Sequence, residues 1–334
     1  MLAVMSSLRV FLTHNPEDLD AYYGRALPEL ETIADVVTNP SDQDLTTSEL
    51  IEHSAGCDVI VAHRATPGEA ELFAARPELV AFLRTAVDIS TIDVEAASAN
   101  GVLVGHADKS FVPSTAELAL GLMISLARNV GTSTFDYANG VEPPQRGGRQ
   151  LAGATAGIIG FGAIGSYLAP MLAAIGMRVL VCDPHVDVAD FEQVGFDELL
   201  ATSDVVLPLA LSTPDTVGLI DAAALATMRR GSLLVNVSRG ELLDEDAVAA
   251  ALDSGHLGGL AMDVGQAPDQ RPSSALAGRP GVVATPHLGG LTPENADAQA
   301  MSSVEQVRAM LAGDTPPRVV NREAAHRFDA FLAR

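Results

Sequence analysis

Tryptophan is absent from this chain of 334 residues, lysine occurs once, at Lys109, and cysteine twice, at Cys57 and Cys182. Two cysteines make no disulfide framework and offer no zinc-finger spacing. A reducing compartment, the cytoplasm, is therefore the expected home, and no metal is expected. Basic residues are scarce: 20 Lys and Arg stand against 43 Asp and Glu, a formal charge of −23. A surface that acidic gains no counterion-release energy from a polyanion, which argues against nucleic acid and anionic membrane as partners. Long apolar runs are missing too. Asp, Arg, Gly or Pro interrupts each of them well before the roughly 20 residues that a bilayer crossing needs. The short apolar start has no basic stretch before it, so no secretory signal is expected. What is present is a 48% apolar content, ample for buried cores and incompatible with wholesale disorder.

The apolar residues are organised. Residues 8–13 (LRVFLT), 58–62 (DVIVA) and 79–83 (LVAFL) read as buried strands, with helix-like segments at 17–36 and 69–76 between them. A second series of strands begins near residue 154, at 156–159, 178–182, 205–209, 233–237, 259–262 and 281–285. Strands alternating with helices predict an α/β class, two doubly wound domains with parallel sheets. Residues 114–128 (STAELALGLMISLAR) carry cap candidates and an apolar face, hence a long helix; 131–153 is Gly/Pro/Gln-rich and reads as a loop. A second long helix is predicted at 293–312 and one more within 318–334.

The strongest motif is GIIGFGAIGSYLAPMLAAIGMRVLVCD, residues 157–183. Gly160, Gly162 and Gly165 form a G-x-G-x-x-G that follows an apolar strand and opens a helix. Such glycines allow the tight turn, the approach of backbone amides to a pyrophosphate, and close helix–strand packing. The helix N-terminus adds partial positive charge at the phosphate. Asp183, at the end of the next strand, is placed to accept from ribose hydroxyls and would repel a 2′-phosphate, so NAD(H) is the expected cofactor.

With these motifs the chain resembles the D-isomer-specific 2-hydroxyacid dehydrogenase family. Besides the glycine turn, 234–247 (LVNVSRGELLDEDA) is similar to the family's Val-Asn-x-x-Arg-Gly segment, Asp263 and Val264 to its Asp-Val, and 285–290 (TPHLGG) to its Thr-Pro-His-x-Gly-Gly. The resemblance implies a discontinuous substrate domain, residues 1–112 plus 297–334, and an NAD-binding Rossmann domain, 113–296, with the active site in the cleft and a homodimer through the nucleotide domain. It implies Arg239 as the anchor of the substrate's carboxylate or keto oxygen, a task suited to a planar, permanently charged guanidinium. It implies His287 as the acid–base, since an imidazole with a pKa of about 6.5 works in both directions. On the cofactor side it implies Gly160, Gly162, Ala163, Ile164, Gly165, Asp183, Val237, Ser238, Asp263 and Gly289; on the substrate side, Ala86, Val87, Lys109 and Arg239.

Three departures stand out. The family's glutamate before a proline is missing from DVGQAP (263–268), where Ala267 takes that position and Gln266 is the nearest polar substitute. A neutral partner does not raise a histidine pKa as a carboxylate does, so carbonyl reduction is expected to fall off at lower pH than in relatives that keep the glutamate. Residues 85–91 (TAVDIST) lack the family's glycine-rich carboxylate loop, with Ala86 and Asp88 in place of the glycines. Lys109 stands where the family often has Asn-x-Pro-Gly; it reads either as a solvated loop residue or as a second cation for a phosphorylated or phosphonate substrate. The expected activity is NAD(H)-dependent interconversion of a 2-keto acid and a (D)-2-hydroxy acid, of the glyoxylate or hydroxypyruvate type. An NAD(H)-sensing or protein-interaction module with little turnover is the alternative.

Overall fold

Short runs of Val, Ile and Leu form the strands, and both faces of most of them are covered, which is why they read as unbroken apolar stretches. The computed structural model describes residues 8–145, 147–267 and 269–333. The first seven residues, Arg146 of the Gly/Pro-rich stretch, Pro268 of DVGQAP and Arg334 lie outside the described residues. The chain divides into two compact units, 8–110 with 293–333, and 111–292.

In the first unit, β1 (Arg9–Leu12), β2 (Asp35–Thr38), β3 (Val59–Ala62), β4 (Ala81–Arg84) and β5 (Leu103–Gly105) form a parallel sheet in the order β2-β1-β3-β4-β5. The chain leaves β1 on one side and returns on the other, so the order reverses between β1 and β3. The helix Pro293–Ala312 presents Ala300, Val304, Val307 and Met310 to this unit's core. That three- and four-residue spacing lines one helical face, and each fully buried side chain of Val or Met size contributes roughly 1.5–3 kcal/mol.

In the second unit, β6 (Thr155–Ile159), β7 (Arg178–Cys182), β8 (Glu192–Gln193), β9 (Val205–Pro208), β10 (Leu233–Asn236), β11 (Gly259–Met262) and β12 (Val282–Ala284) form a second parallel sheet, ordered β12-β11-β10-β9-β6-β7-β8. Here the order reverses between β6 and β9. The helix Val112–Ala127 buries Ala116, Ala119, Met123 and Leu126 against it. The α/β class with doubly wound parallel sheets is the one the strand–helix alternation predicts. Among the described residues no helix is long and apolar enough to cross a membrane.

The structure corrects several local expectations. Residues 17–36 are not one helix: Gly24 and Pro28 break the segment into short turns, Pro16–Asp18, Leu19–Tyr23 and Leu27–Glu31, and the β-branched run Asp35–Thr38 pairs with β1 instead. Residues 131–153 are not all loop. Asn129 turns the chain in the left-handed region at φ 55°, and Val130–Ala138 is helical; apart from Gly131, the Gly and Pro residues that suggested a loop lie beyond it. The C-terminal segment holds a 3-10 turn, Arg322–Ala324, before the helix His326–Leu332.

Candidate functional site

In open parallel sheets ligands bind outside the carboxyl ends of the strands, at the point where the strand order reverses. In the second unit that point lies between β6 and β9, and the glycine turn sits on it. Gly160 follows β6 with φ 97°, and a Cβ there would lie 2.6 Å from Ala210 N and 2.8 Å from the Leu209 carbonyl carbon, beyond the end of β9. Only glycine satisfies both the conformation and the contact. A Cβ on Gly165 would lie 2.3 Å from Gly160 O, so helix and turn touch through backbone. Gly162 differs: a Cβ there would meet nothing within 4 Å. It caps the helix Ala163–Ala174 without a side chain over the first turn, leaving a helix N-terminus suited to a phosphate.

Asp183, just past β7, is tied into this turn. Its Oδ2 accepts from Phe161 N at 2.6 Å and its Oδ1 from His185 N at 2.8 Å. An ionised carboxylate has about four acceptor positions, so two remain for ribose hydroxyls. The site therefore fits a dinucleotide.

Three neighbouring strands, β10, β11 and β12, end in register, Asn236 opposite Met262 and Met262 opposite Ala284. The sequence motifs follow directly. After β10, buried Asn236 fixes the next turn with both ends of its amide: its Oδ1 accepts from Ser238 N at 3.1 Å and its Nδ2 donates to Arg239 O at 2.8 Å. Ser238 Oγ donates to Ala210 O at 2.9 Å, linking this turn to the end of β9. The half-buried Arg239 donates from Nη1 to Ser238 O at 2.8 Å.

After β11, Asp263 is 1% exposed, and its carboxylate is spent on the turn that follows β12. Thr285 Oγ1 donates to Oδ1 at 2.6 Å, Leu288 N to Oδ1 at 2.7 Å and Gly289 N to Oδ2 at 2.8 Å, while His287 N donates to the Asp263 carbonyl at 2.8 Å. His287 sits in this turn at φ 61°, a left-handed conformation that costs a side-chain-bearing residue roughly 1–2 kcal/mol. Gly289 is crowded: a Cβ there would lie 3.1 Å from Asp263 Oδ2 and 3.2 Å from Thr115 Oγ1.

Gln266 donates from Nε2 to Leu243 O at 2.8 Å, clamping the 263–267 segment to the chain after β10. The two segments touch through backbone, since a Cβ on Gly240 would lie 2.2 Å from the Gly265 carbonyl carbon.

The structure thus brings Gly160, Gly162, Ala163, Ile164, Gly165, Asp183, Val237, Ser238, Arg239, Asp263, Gln266, His287 and Gly289 to one carboxyl edge of the second sheet. Ala86, Val87 and Lys109 belong to the first unit, past the ends of β4 and β5. Ala86 O accepts from Ala107 N at 3.1 Å, and the exposed Lys109 donates its backbone N to Asp108 Oδ1 at 2.7 Å. Sequence reasoning passed over Asn236 and Thr285, whose side chains hold the Arg239 and His287 turns. Both lie inside the quoted motifs, and their position at strand ends was the available signal.

The profile described as "D-isomer specific 2-hydroxyacid dehydrogenase, NAD binding domain" matches residues 120–289. A D-3-phosphoglycerate dehydrogenase of Mycobacterium leprae is 38% identical over 270 residues, 79% of this chain and 51% of that protein. An (S)-sulfolactate dehydrogenase of Chromohalobacter salexigens is 36% identical over 271 residues, 79% of this chain and 88% of that one. The crystal structure of the TT0316 protein from Thermus thermophilus superposes with a TM-score of 0.83 at 30% identity, covering 94% of this chain and 100% of that one. The chain spans about half the length of the mycobacterial phosphoglycerate dehydrogenases it matches. The cofactor of the matched domain is NAD(H). This chain belongs to the D-isomer specific 2-hydroxyacid dehydrogenase family.

Proposed function

We propose that this chain is an oxidoreductase that interconverts a 2-keto acid and a (D)-2-hydroxy acid with NAD(H), acting as a keto-acid reductase. The observation that carries this reading is the spacing of the second sheet's edge: the turns bearing Arg239 and His287 leave strands that flank β11, with buried Asp263 locking the His287 turn between them. When bound, the nicotinamide supplies or accepts the hydride. Imidazolium at His287 gives its proton to the ketone oxygen during reduction, and neutral imidazole takes it back from the alcohol during oxidation. The Arg239 guanidinium anchors the carboxylate with a forked pair of hydrogen bonds. Asp263, Thr285 and Asn236 position these two turns without touching the reacting atoms.

The test is NADH oxidation against a panel running from glyoxylate and hydroxypyruvate to bulky and phosphorylated keto acids. Turnover that falls by roughly 10²–10⁴ in His287→Ala, with NADH affinity retained, supports the acid–base assignment. Tight NADH binding with no turnover across the panel overturns it and favours the sensing or interaction module. The names of the phosphoglycerate and sulfolactate dehydrogenases denote substrates with a second anionic group. A preference for phosphorylated or phosphonate keto acids that disappears in Lys109→Ala would identify that class and assign the second anion to Lys109.

The homodimer also belongs to this reading. The helix Val130–Ala138 leaves Phe135 68% and Tyr137 67% exposed, with Val130 and Val141 beside them in sequence and also exposed. Large exposed aromatics on one short segment suit a surface that a second copy covers. Phe135→Glu is expected to give a monomer by light scattering.

A further inference from the structure

The first unit's strand order also reverses, between β1 and β3, and the groups gathered there have no part in the function proposed above. His14 follows β1 and His63 follows β3, with their rings edge to face at a centroid distance of 5.1 Å. His14 is only 2% exposed; its Nε2 faces Thr85 Oγ1 at 3.3 Å, and its Nδ1 has no hydrogen-bond partner among the described residues. The His63 Nδ1 is likewise buried without a hydrogen-bond partner, although Asp18 Oδ2 lies 3.4 Å away. Two buried imidazole nitrogens left without hydrogen bonds, beside a carboxylate, are a costly arrangement for a folded chain.

Asp44 completes the group: one ligand atom from each of Asp18, Asp44 and His63 lies within 4.8 Å of the others. Two of the three donors are held firmly. Asp18 is fixed by Asn15, which accepts from Asp18 N at 2.9 Å and donates to Asp18 Oδ2 at 3.0 Å. His63 is fixed by its backbone, with N donating to Thr13 Oγ1 at 2.9 Å and O accepting from Arg84 Nη1 at 2.7 Å. Asp44 is exposed. Bonds of about 2.1 Å set tetrahedral ligands about 3.4 Å apart, so closing a set whose donors lie within 4.8 Å of one another asks for movements of no more than about 1.4 Å.

We propose that Asp18, Asp44 and His63 form a binding site for a divalent transition-metal ion at the carboxyl ends of β1 and β3. Two carboxylate oxygens and one imidazole nitrogen suit a borderline cation such as Zn²⁺ better than Ca²⁺ or Mg²⁺, which prefer all-oxygen shells. Binding ties the turn at 15–18 and the loop at 40–45 to the end of β3, and so stabilises the first unit by linkage.

The test is calorimetric titration of the chelator-stripped, untagged full chain with Zn²⁺, followed by Co²⁺ absorption to report nitrogen and oxygen ligation. One saturable site per chain is expected, with the dissociation constant raised roughly tenfold or more in both Asp44→Asn and His63→Gln. Asp42→Asn removes the same charge two residues from Asp44, on an exposed residue outside the ligand set, and is expected to change the constant by no more than about twofold. No saturable uptake, equal weakening by Asp42→Asn and Asp44→Asn, or uptake that survives Asp44→Asn unchanged overturns the site. Asp44 is exposed and its variant is expected to fold, so the result does not hang on His63→Gln.

Discussion

Asp263 grips the chain at and after His287: its carbonyl accepts from His287 N at 2.8 Å, and its carboxylate accepts from Leu288 N at 2.7 Å and Gly289 N at 2.8 Å. A buried anion placed among amide donors is satisfied as a hydrogen-bond acceptor, and these bonds offset the left-handed backbone that the histidine adopts.

That offset predicts an inversion of the usual mutational order. His287→Ala and His287→Gly remove the same side-chain interactions, but only alanine keeps a Cβ at φ 61°. The glycine variant is therefore expected to be more stable than the alanine variant by about 1 kcal/mol, and both lose turnover. Asp263→Asn turns an amide NH₂ toward at least one backbone donor and should cost about 1.5–3 kcal/mol. Urea unfolding of the three variants checks the order; equal stability for Ala and Gly would sink the account of strain.

The two glycines of the turn after β6 should fail in different ways. At Gly160 a Cβ meets backbone at 2.6 Å in a conformation reserved for glycine, so Gly160→Ala is expected to lose folded protein or melt several degrees lower. At Gly162 a Cβ meets nothing, so Gly162→Ala should fold normally. It should nevertheless weaken NADH binding about tenfold or more, because the proposed function brings a pyrophosphate to the helix through the space it fills. Fluorescence titration with NADH alongside thermal melting separates the two effects. Unchanged NADH affinity in Gly162→Ala would place the phosphates elsewhere.

Much of this was legible because the chemistry demands particular residues at particular strand ends. The glycine turn is a steric requirement, and the Arg239 and His287 motifs follow strands whose apolar runs are plain. Strands β2 and β5 were harder to see: Asp35–Thr38 is only half-buried at a sheet edge, and Leu103–Gly105 is three residues long. Which partner Gln266 chooses depends on Leu243, 23 residues away in sequence, and no local pattern reveals it. The Asp18, Asp44 and His63 group is illegible for the same reason: three lone residues, following β1, β2 and β3 in turn, meet because those strands are neighbours in the sheet.

Gln266 bears directly on the missing glutamate. Its amide nitrogen donates to Leu243 O at 2.8 Å, a place where an ionised carboxylate has nothing to donate. Gln266→Glu is expected to cost about 1–2 kcal/mol and to leave the alkaline limb of keto-acid reduction where it was. Ala267→Glu restores a carboxylate at the pre-proline position and leaves the Gln266 clamp intact. It should move that limb to higher pH, since a nearby negative charge favours the protonated imidazole. Profiles of kcat/KM against pH decide between them; an upward move in Gln266→Glu alone would show that position 266, and not 267, addresses the histidine.

Arg84 supplies the last prediction. The side chain is fully buried at the end of β4, yet burial pulls its pKa down only to about 10, so it remains charged at neutral pH. Its Nη1 donates to the carbonyls of His63 and Arg64, and its Nη2 to Thr66 O at 2.8 Å and Thr91 Oγ1 at 3.0 Å. One planar fork thus pins the loops that follow β3 and β4. Lysine offers three donors from a single point and does not span four acceptors spread over two loops, so Arg84→Lys is expected to be only a partial substitute. Arg84→Met removes every donor and leaves three carbonyls without that partner, a loss of about 3 kcal/mol, partly relieved by the charge it takes out of the interior. Faster amide exchange confined to residues 63–66 and 91, larger in the methionine variant than in the lysine variant, is the expected signature. A methionine variant as stable as the parent, with those amides still protected, would mean that backbone hydrogen bonds hold the loops and that the arginine is a passenger.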